Sequence, residues 1–590
     1  MKKFLLVVVC FLTMTKLWAI IAIPNPQGTF FAQPDGTSLA VTQHGDAFYN
    51  YYTTIDGFTI VKNGDQYEYA QSFDDGSLTP SGVMAHNAEV RSPQEQQFVA
   101  GLKHGLIDQR AAASAIETKR KAPRREQLYD YNNFRGLIVL VEYTDKEFEM
   151  DDPHDFYDHM VNDKDYKGFT DKNGNWVPCT GSVRDYYYDQ SGGKFDPVFD
   201  IVGPVKVNYA STDHNANKNT PEIFKSALDK VDPDVDFSIY DGDSDGFIDF
   251  VFFIGAGPAA CYVGNDSTLL WPHAYVLTLK TLLTKYDGLY GYKYACCTEI
   301  YGWTDNLQSL ETQGIGVMCH EFSHVLGLKD HYDADYDKNG LSHHPGFWDV
   351  MAAAPSLNVA RTPAGFSLYE RWALGWVNPP LILEEGPYKL NPIDGTGEGY
   401  ILITPSVGEY FTLENRQRTK WDEYLPGHGM LITRVDSTNM APWTINQINT
   451  DASHNYLELV RAWNDTPDKD LDSDPFPGTK NVTSITNTTT PNLKTWGGMD
   501  CVFNIHKIKE KGQVVSFYIT YDGMLPPEDD IPIGDVNNDG KVDVEDVNAI
   551  INIILEIKTE ADYEGDADLN GDGKVDVEDV NAAINIILTD

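Results

Sequence analysis

Basic residues are scarce in this sequence of 590 residues. It has 45 lysine and arginine residues against 88 aspartate and glutamate residues, which gives a formal net charge of −43. A surface of that sign repels the phosphates of nucleic acid, so the composition argues against nucleic-acid binding. An acidic surface instead favours solubility, and clusters of acidic side chains favour calcium binding.

Cysteine is also rare, and none of the seven cysteines forms a CxxC pair, which argues against a cysteine-based zinc site. The sequence does not decide how the six cysteines after the first 22 residues pair in an exported protein. These six are Cys179, Cys261, Cys296, Cys297, Cys319 and Cys501.

Apolar runs long enough to cross a bilayer are absent, and the start of the chain is strongly apolar, with MKK followed by FLLVVVCFLTM. A charged start before an apolar core is typical of a secretory signal, here predicted for residues 1–22, with a cut after Ala19 or Ala22. The run is too short to cross a bilayer, and Lys16 interrupts it. No transmembrane segment is predicted, and we expect an exported protein.

The most informative stretch is MCHEFSHVLGLKDHY at residues 318–332, which contains His320-Glu321-x-x-His324. Residues four apart lie on one face of a helix, so His320 and His324 can bind one metal ion together. Glu321 lies about 100° further round the helix, where it suits hydrogen bonding to a water molecule better than ligation. The apolar flanks predict a buried helix, in which two histidines and a glutamate need partners.

The third ligand has two candidates. On a straight helix Asp330 lies about 9 Å beyond His324, too far for ligand bonds of about 2.0–2.2 Å. Gly327 can end the helix in the left-handed conformation and turn the chain back, so that Asp330 reaches the metal. His331 is the rival ligand, although the glycine spacing favours Asp330. Three protein ligands and one open position describe a catalytic zinc site.

This motif, together with FWDVM at residues 347–351, resembles the M6, or immune inhibitor A-like, family of secreted zinc peptidases. Further similar stretches lie at residues 134–145, 181–195, 240–257 and 410–436. The resemblance implies a metzincin-like α/β domain that acts on proteins or peptides with one catalytic Zn²⁺. The implied site residues are the zinc ligands His320, His324 and Asp330, the catalytic base Glu321 and the Met-turn residue Met351. The oxyanion partner stays open, with Tyr332 and Tyr369 among the candidates.

The pattern along the chain predicts a multidomain α+β protein. Short alternating segments predict a β-rich pro-region and a later all-β, sandwich-like domain. Continuous apolar runs at residues 137–143 and 247–257 predict strands buried on both faces. Helices are predicted at residues 220–231 and 366–377. The expected boundaries are signal peptide 1–22, pro-region 23–125, catalytic domain 126–380, sandwich-like domain 381–522, linker 523–533 and a small C-terminal domain 534–590.

The pro-region has no cysteine, which excludes latency through a thiolate on the zinc for this segment. It ends in the basic cluster KRKAPRR at residues 119–125. This cluster is either a solvated linker or a cleavage site for a trypsin-like activator, since exposed linkers are readily cut.

A loop at residues 241–249 has the acidic spacing of a calcium site but lacks the last carboxylate of an EF-hand. We expect a calcium ion here, bound by Asp241, Asp243, Asp245 and Asp249. A simple acidic turn is the alternative.

A repeat with an offset of 33 residues fills the end of the chain, as DVNNDGKVDVEDVNAIINIIL and DLNGDGKVDVEDVNAAINIIL. Each copy supplies the oxygen ligands of a calcium loop and then an apolar helix. The duplication resembles a type I dockerin, which implies two calcium ions and a cohesin-like partner. The expected ligands are Asp535, Asn537, Asp539, Lys541 (carbonyl), Asp543 and Asp546, then Asp568, Asn570, Asp572, Lys574 (carbonyl), Asp576 and Asp579.

Taken together, these features predict a secreted or extracellular zinc endopeptidase. Its dockerin-like end is either a route of attachment to a cell surface or a calcium-stabilised terminus without a partner. One alternative is a hydrolase of polysaccharides or glycoproteins in a dockerin–cohesin assembly, although no carboxylate pair stands out for that chemistry. The other is an inactive surface binding protein, which the presence of Glu321 disfavours.

Overall fold

Two compact units make up the chain, Met1–Asp522 and Gly523–Asp590. The computed structural model describes residues 18–19, 29–45, 50–72, 77–102, 106, 108, 134–242, 244–263, 266–276, 284–291, 293–301, 311–334, 340, 342–406, 408–463, 469–526, 533–539, 541–563 and 565–589. The basic cluster at 119–125, and all of the predicted signal peptide except Trp18–Ala19, lie outside these residues. No helix within them is both long and apolar enough to cross a membrane.

An antiparallel sheet of six strands forms the first part of the chain, each strand pairing with the next. Phe31, Leu39, Tyr52, Ile60 and Tyr69 form its core, because alternate side chains of each strand point to one face. A short helix, Pro93–Val99, follows. The strands are Thr29–Ala32, Ser38–Gly45, Asn50–Thr54, Thr59–Asn63, Gln66–Ser72 and Leu78–Met84.

The helix that contains the HExxH motif packs against the central sheet of the first unit. Three pairs of its strands run parallel, while His273–Val276 is antiparallel to its neighbour. Across the sheet the order is Trp18–Ala19, His273–Val276, Lys293–Tyr301, Val251–Pro258, Arg135–Glu142 and Val198–Lys206, and Glu311–Thr312 also pairs with Lys293–Tyr301.

Both faces of this sheet are covered. One set of alternating side chains, including Ile138 and Phe252, packs against the helix Gly316–Leu326. The opposite set, including Val139 and Phe253, packs against the helix Thr220–Val231. The two continuous apolar runs of the sequence therefore do form strands buried on both faces. The second run is broken, because Phe247–Ile248 joins a different small sheet before the central strand begins at Val251.

The remaining elements of this part are short. A small sheet joins Phe247–Ile248, Leu289–Gly291 and Lys285–Tyr286, and a hairpin joins Gly168–Thr170 to Trp176–Pro178. The predicted helix at 366–377 is limited to Leu368–Ala373, which Ser367 and Glu370 begin with a capping box. The remaining helices are Pro153–Asn162 and Val183–Gln190.

Residues 381–522 form two sheets that share one apolar core containing Phe411, Ile432, Phe503 and Phe517. The first sheet runs in the order Leu381–Ile382, Tyr400–Ile403, Glu409–Arg416, Gly429–Asp436 and Leu457–Val460. The second runs in the order Gly386–Leu390, Val514–Tyr521 and Phe503–Lys511, and the short helix Met440–Thr444 lies outside both.

A buried arginine joins this β-rich region to the part that precedes it. Arg416 donates to the carbonyl oxygens of Trp348 and Gly365 and forms an ion pair with Asp422. Asp422 in turn accepts from the N–H of Gly365. Glu414, also buried, accepts from the N–H of Leu368. The two regions therefore share a hydrogen-bonded interior, in which leaving one charge unpaired would be costly.

The second unit consists of two loop–helix repeats, with helices Val544–Ile554 and Val577–Thr589. Val536, Ile550, Ala567 and Ala583 are buried between them. The six cysteines that follow the predicted signal peptide are all free thiols, and five of them are buried.

Candidate metal centre

The helix Gly316–Leu326, called the metal helix below, is buried along its whole length. Its first residue is glycine because a Cβ there would lie 1.9 Å from the carbonyl oxygen of Pro355. Tyr187 fixes the middle of the helix, donating from its hydroxyl to the carbonyl oxygen of Cys319 at 2.7 Å. The side chains on this helix therefore start from a rigid support.

Gly327 ends the metal helix in the way the sequence predicts. Its φ is +114°, in the left-handed region, and its N–H donates to the carbonyl oxygen of His324. The N–H of Leu328 then donates to the carbonyl oxygen of Ser323 at 3.1 Å. A side chain at position 327 would be strained by this turn, which brings Asp330 back towards the helix.

His320, His324 and Asp330 meet in the interior. The two Nε2 atoms are 3.2 Å apart, and Oδ1 of Asp330 lies 3.1 Å from Nε2 of His324 and 3.5 Å from Nε2 of His320. Ligands at about 2.1 Å from a tetrahedral zinc ion are separated by about 3.4 Å. The observed separations therefore fit three ligands of one zinc ion.

The protonation of the two histidines follows from their other nitrogens. Nδ1 of His320 lies 2.7 Å from the carbonyl oxygen of Val350, and Nδ1 of His324 lies 3.2 Å from that of Leu328. A carbonyl oxygen only accepts, so each Nδ1 carries the proton and each Nε2 presents a lone pair. Burial lowers the pKa of His324 to about 4, which keeps this ring neutral and able to bind metal at neutral pH.

Asp330 completes the set as an anion. Burial alone would raise its pKa, but the adjacent His324 and His320 hold the pKa of the carboxyl well below its usual value. Oδ1 of Asp330 accepts no hydrogen bond. Two lone pairs and one carboxylate oxygen thus converge in a buried space, an arrangement that a cation stabilises.

Glu321 is fully buried on the metal helix, next to His320. Its carboxylate lies close enough to Cys261, Cys296 and Cys297 to raise the pKa of these thiols further, after the larger effect of burial. Those thiols therefore stay protonated near neutral pH.

His331, the rival ligand, belongs to a second group. Its Nδ1 lies 2.7 Å from Oδ2 of Asp349 and 3.9 Å from Oε1 of Glu370. The shorter distance is that of a hydrogen bond and is too short for two ligands on one tetrahedral ion. Burial and the Asp349 carboxylate raise the pKa of Glu370 well above its usual value. The group is thus a hydrogen-bonded cluster.

Residues 349–351 connect this cluster to the candidate metal ligands. Asp349 accepts from the N–H of Met351 at 2.6 Å, and the N–H of His331 donates to the carbonyl oxygen of Met351 at 2.9 Å. The carbonyl oxygen of Val350, between them, is the partner of His320. Met351, the expected Met-turn residue, is itself fully buried.

Asn446 is a site residue that the sequence does not reveal. It lies 116 residues from Asp330, in the region assigned to the sandwich-like domain, and hydrogen-bonds to that residue twice. No spacing rule links the two positions.

The predicted calcium loop at 241–249 is held by hydrogen bonds between its own residues. Asp241 accepts from the N–H groups of Asp245 and Gly246, and Asp249 accepts from the N–H of Gly242. Asp243 lies outside the described residues. Hydrogen bonds of this kind shape the loop but do not test the ion, so calcium here stays a prediction.

The two loops of the second unit share one hydrogen-bonding pattern. In the first, Asp546 accepts from the N–H groups of Asn537 and Asp543, and Asp535 accepts from that of Asp539. In the second, the equivalent acceptors are Asp579 and Asp568. The last carboxylate of each loop, Asp546 or Asp579, is fully buried. The remaining expected ligands line the same turns, namely Asp539, Lys541, Asp543, Asn570, Asp572, Lys574 and Asp576.

Two models of known protein families match this chain. Residues 133–372 match the catalytic domain of the immune inhibitor A peptidases, family M6. The chain carries an M6 peptidase domain. Residues 533–588 match the type I dockerin domain, which covers both loop–helix repeats. The resemblance read from the sequence is confirmed for both domains.

Three related proteins are similar over less than half of this chain. Pre-pro-metalloprotease PrtV, from two strains of Vibrio cholerae serotype O1, is 23% identical over an alignment of 297 positions, which covers 42% of this chain and 30% of the relative. Immune inhibitor A of Bacillus thuringiensis subsp. alesti is 26% identical over an alignment of 290 positions, which covers 42% of this chain and 40% of the relative. The chain thus matches well under half the length of each relative.

Proposed function

We propose that the chain is a secreted zinc endopeptidase that hydrolyses proteins or peptides. The observation that carries this proposal is the convergence of two histidine lone pairs and one aspartate oxygen at separations of 3.1–3.5 Å. His320, His324 and Asp330 would hold the zinc ion. When bound, zinc supplies a Lewis acid that polarises the scissile carbonyl and favours deprotonation of water.

Glu321 is proposed as the general base. It follows His320 on the metal helix, so its carboxylate and the ligand atoms share one rigid support. Its role is to take a proton from the attacking water and deliver it to the leaving amine, which keeps the proton balance of hydrolysis.

The β-rich residues 23–125 are proposed as the pro-region of a zymogen, in keeping with relatives named as pre-pro-metalloproteases. Export through a signal at residues 1–22 accords with the same name. Cleavage in the basic cluster at 119–125 would then separate the pro-region from the M6 domain.

The dockerin domain is proposed to bind two calcium ions and to dock onto a cohesin-like partner. Support for docking comes from apolar side chains that the repeats leave in solvent at equivalent positions. Val544 and Val577 are 65% and 64% exposed, and Leu555 and Leu588 are 61% and 77% exposed. Exposed apolar side chains that form one patch mark surfaces that bind proteins, and the repeat presents the same exposed positions twice.

Glu321→Gln tests the peptidase. We expect this variant to retain one zinc ion per chain while casein hydrolysis falls by about 10²–10⁴-fold, because the base and not a ligand is lost. Glu384→Gln, at an exposed glutamate, is the matched control and should match wild type in both measurements. Activity of Glu321→Gln equal to wild type at full zinc occupancy would contradict the mechanism. Hydrolysis of polysaccharide but not casein by the wild type would favour the glycan-directed alternative.

A further inference from the structure

Asn446 reaches the metal centre from outside the M6 match, which ends at residue 372. Its Oδ1 accepts from the backbone N–H of Asp330 at 2.8 Å, and its Nδ2 donates to Oδ2 of Asp330 at 2.5 Å. Both ends of one amide are therefore used on one residue. The pairing needs a donor and an acceptor side by side, which asparagine has and aspartate lacks.

These two hydrogen bonds determine which oxygen of Asp330 faces the histidines. With Oδ2 held by the amide, Oδ1 points to the Nε2 atoms of His320 and His324, at 3.5 and 3.1 Å. A carboxylate fixed in this way binds a metal through one oxygen and leaves space for a fourth ligand.

The backbone at Asn446 also favours asparagine. Its φ is +51°, in the left-handed region, which asparagine tolerates better than most residues other than glycine. The side chain is only 2% exposed, so its hydrogen bonds do not compete with bulk water.

The loop around it is held by further contacts. Trp443 donates from its indole to the carbonyl oxygen of Asp436 at 2.7 Å, and Asn449 donates to the carbonyl oxygen of His331 at 2.6 Å. The second contact touches the residue next to Asp330. The position of Asn446 is therefore set by the β-rich region.

We propose that Asn446 is a positioning residue for the third metal ligand, through which the β-rich region 381–522 completes the metal centre. This inference rests on the proposed zinc site. It assigns Asn446 no contact with substrate or with the metal, only control over the orientation of the Asp330 carboxylate.

Two variants at position 446 distinguish the loss of the side-chain hydrogen bonds from strain in the left-handed backbone. Asn446→Gly accepts the left-handed backbone and removes both hydrogen bonds. Asn446→Asp keeps the size and one acceptor but sets a carboxylate against Oδ2 of Asp330. Loss of a partner behind a metal ligand typically weakens metal binding by about 10–100-fold, and we expect this range for both variants. Asn439→Ala is the control. Asn439 is exposed and caps the short helix Met440–Thr444, which ends just before Asn446.

The measurement is zinc affinity of the full chain by competition with a coloured chelator, with the visible spectrum of the Co²⁺-loaded protein as second readout. Far-ultraviolet circular dichroism of the metal-free proteins establishes whether each variant folds. If one variant does not fold, the comparison uses the other. Weaker zinc binding and a changed Co²⁺ spectrum, with the control equal to wild type, support the proposal. Wild-type affinity and spectrum in a folded variant overturn it. A wild type that binds no zinc instead refutes the proposed function.

Discussion

Nδ1 of His331 donates a hydrogen bond of 2.7 Å to Oδ2 of Asp349, so the histidine next to Asp330 points its ring to a carboxylate and not to the other two histidines. This single contact separates the two candidates for the third ligand. The contact also connects His331 to the turn at Met351. The backbone N–H of His331 donates to the carbonyl oxygen of Met351 in the same turn.

The first prediction follows from that separation. Asp330→Ala should weaken zinc binding by more than about 100-fold, beyond the 10–100-fold typical of outer partners, because a direct ligand is lost. His331→Ala should keep one zinc ion per chain but lower the melting temperature, because it removes the hydrogen bond to Oδ2 of the buried Asp349. Metal analysis and thermal melting measure both. Zinc loss in His331→Ala together with retention in Asp330→Ala would move the site to His331.

The second prediction concerns activation. We expect the chain cut within residues 119–125 to hydrolyse casein faster than the intact chain, since the cut would free the M6 domain from the pro-region. A product that begins near Glu126, compared with a form whose basic residues at 119–125 are replaced by glutamine, gives the measurement. If both forms are equally active, the cluster is only a linker.

The third prediction concerns the dockerin domain. Residues 528–590 contain 19 acidic and 3 basic residues, and self-repulsion of this size opposes a compact state unless cations occupy the loops. The helices of 11 and 13 residues are marginal in water without packing. We expect a fragment of residues 528–590 to gain helix on adding Ca²⁺, with two ions bound.

Asp546→Ala and Asp579→Ala, each at the buried last carboxylate of one loop, should each remove one ion. Circular dichroism and calorimetric titration give the readouts, and casein hydrolysis by the full chain should not change. Helix content that is the same in chelator and in Ca²⁺ would show that packing alone suffices.

The fourth prediction concerns pH. Glu299 is buried and accepts from the N–H groups of Glu149, Met150 and Gly257, and burial raises its pKa from 4.5 to about 7. Between these pH values the folded state holds a proton that the unfolded state has released. The free energy of unfolding contributed by this group therefore falls as pH rises from about 4.5 to about 7 and is constant above.

Glu299→Gln removes this titration. The difference in free energy of unfolding, wild type minus variant, should fall by about 3 kcal/mol across that window. Denaturant unfolding of both proteins at a series of pH values measures it, and other titrating groups cancel in the difference. A difference independent of pH would show that the group titrates normally.

Local features of this molecule could be predicted from sequence, because the residues that cause them are neighbours. The left-handed turn at Gly327 and the facing pair His320 and His324 depend on spacings of three or four residues. Strand burial on both faces follows from the continuous apolar run at residues 137–143.

Features set by distant contacts could not be predicted. Asn446 meets Asp330 only after the β-rich region folds, and no periodic pattern records that approach. The helix predicted to 377 ends at Ala373, because the chain turns through Gly375 at a φ of +74°. The break at residues 249–250 arises because Phe247–Ile248 pairs with Tyr290–Gly291, a partner 43 residues further along the chain.

The buried ion pair of Arg416 has a consequence for how the molecule melts. Its guanidinium donates to the carbonyl oxygens of Trp348 and Gly365, so detachment of the β-rich region would break these hydrogen bonds and leave their buried polar groups without partners. The M6 domain and residues 381–522 should therefore absorb heat in a single cooperative transition, while the dockerin domain gives its own. A β-rich region exchanged between related peptidases would therefore pack correctly only where the recipient places two backbone carbonyl oxygens at the positions of those of Trp348 and Gly365.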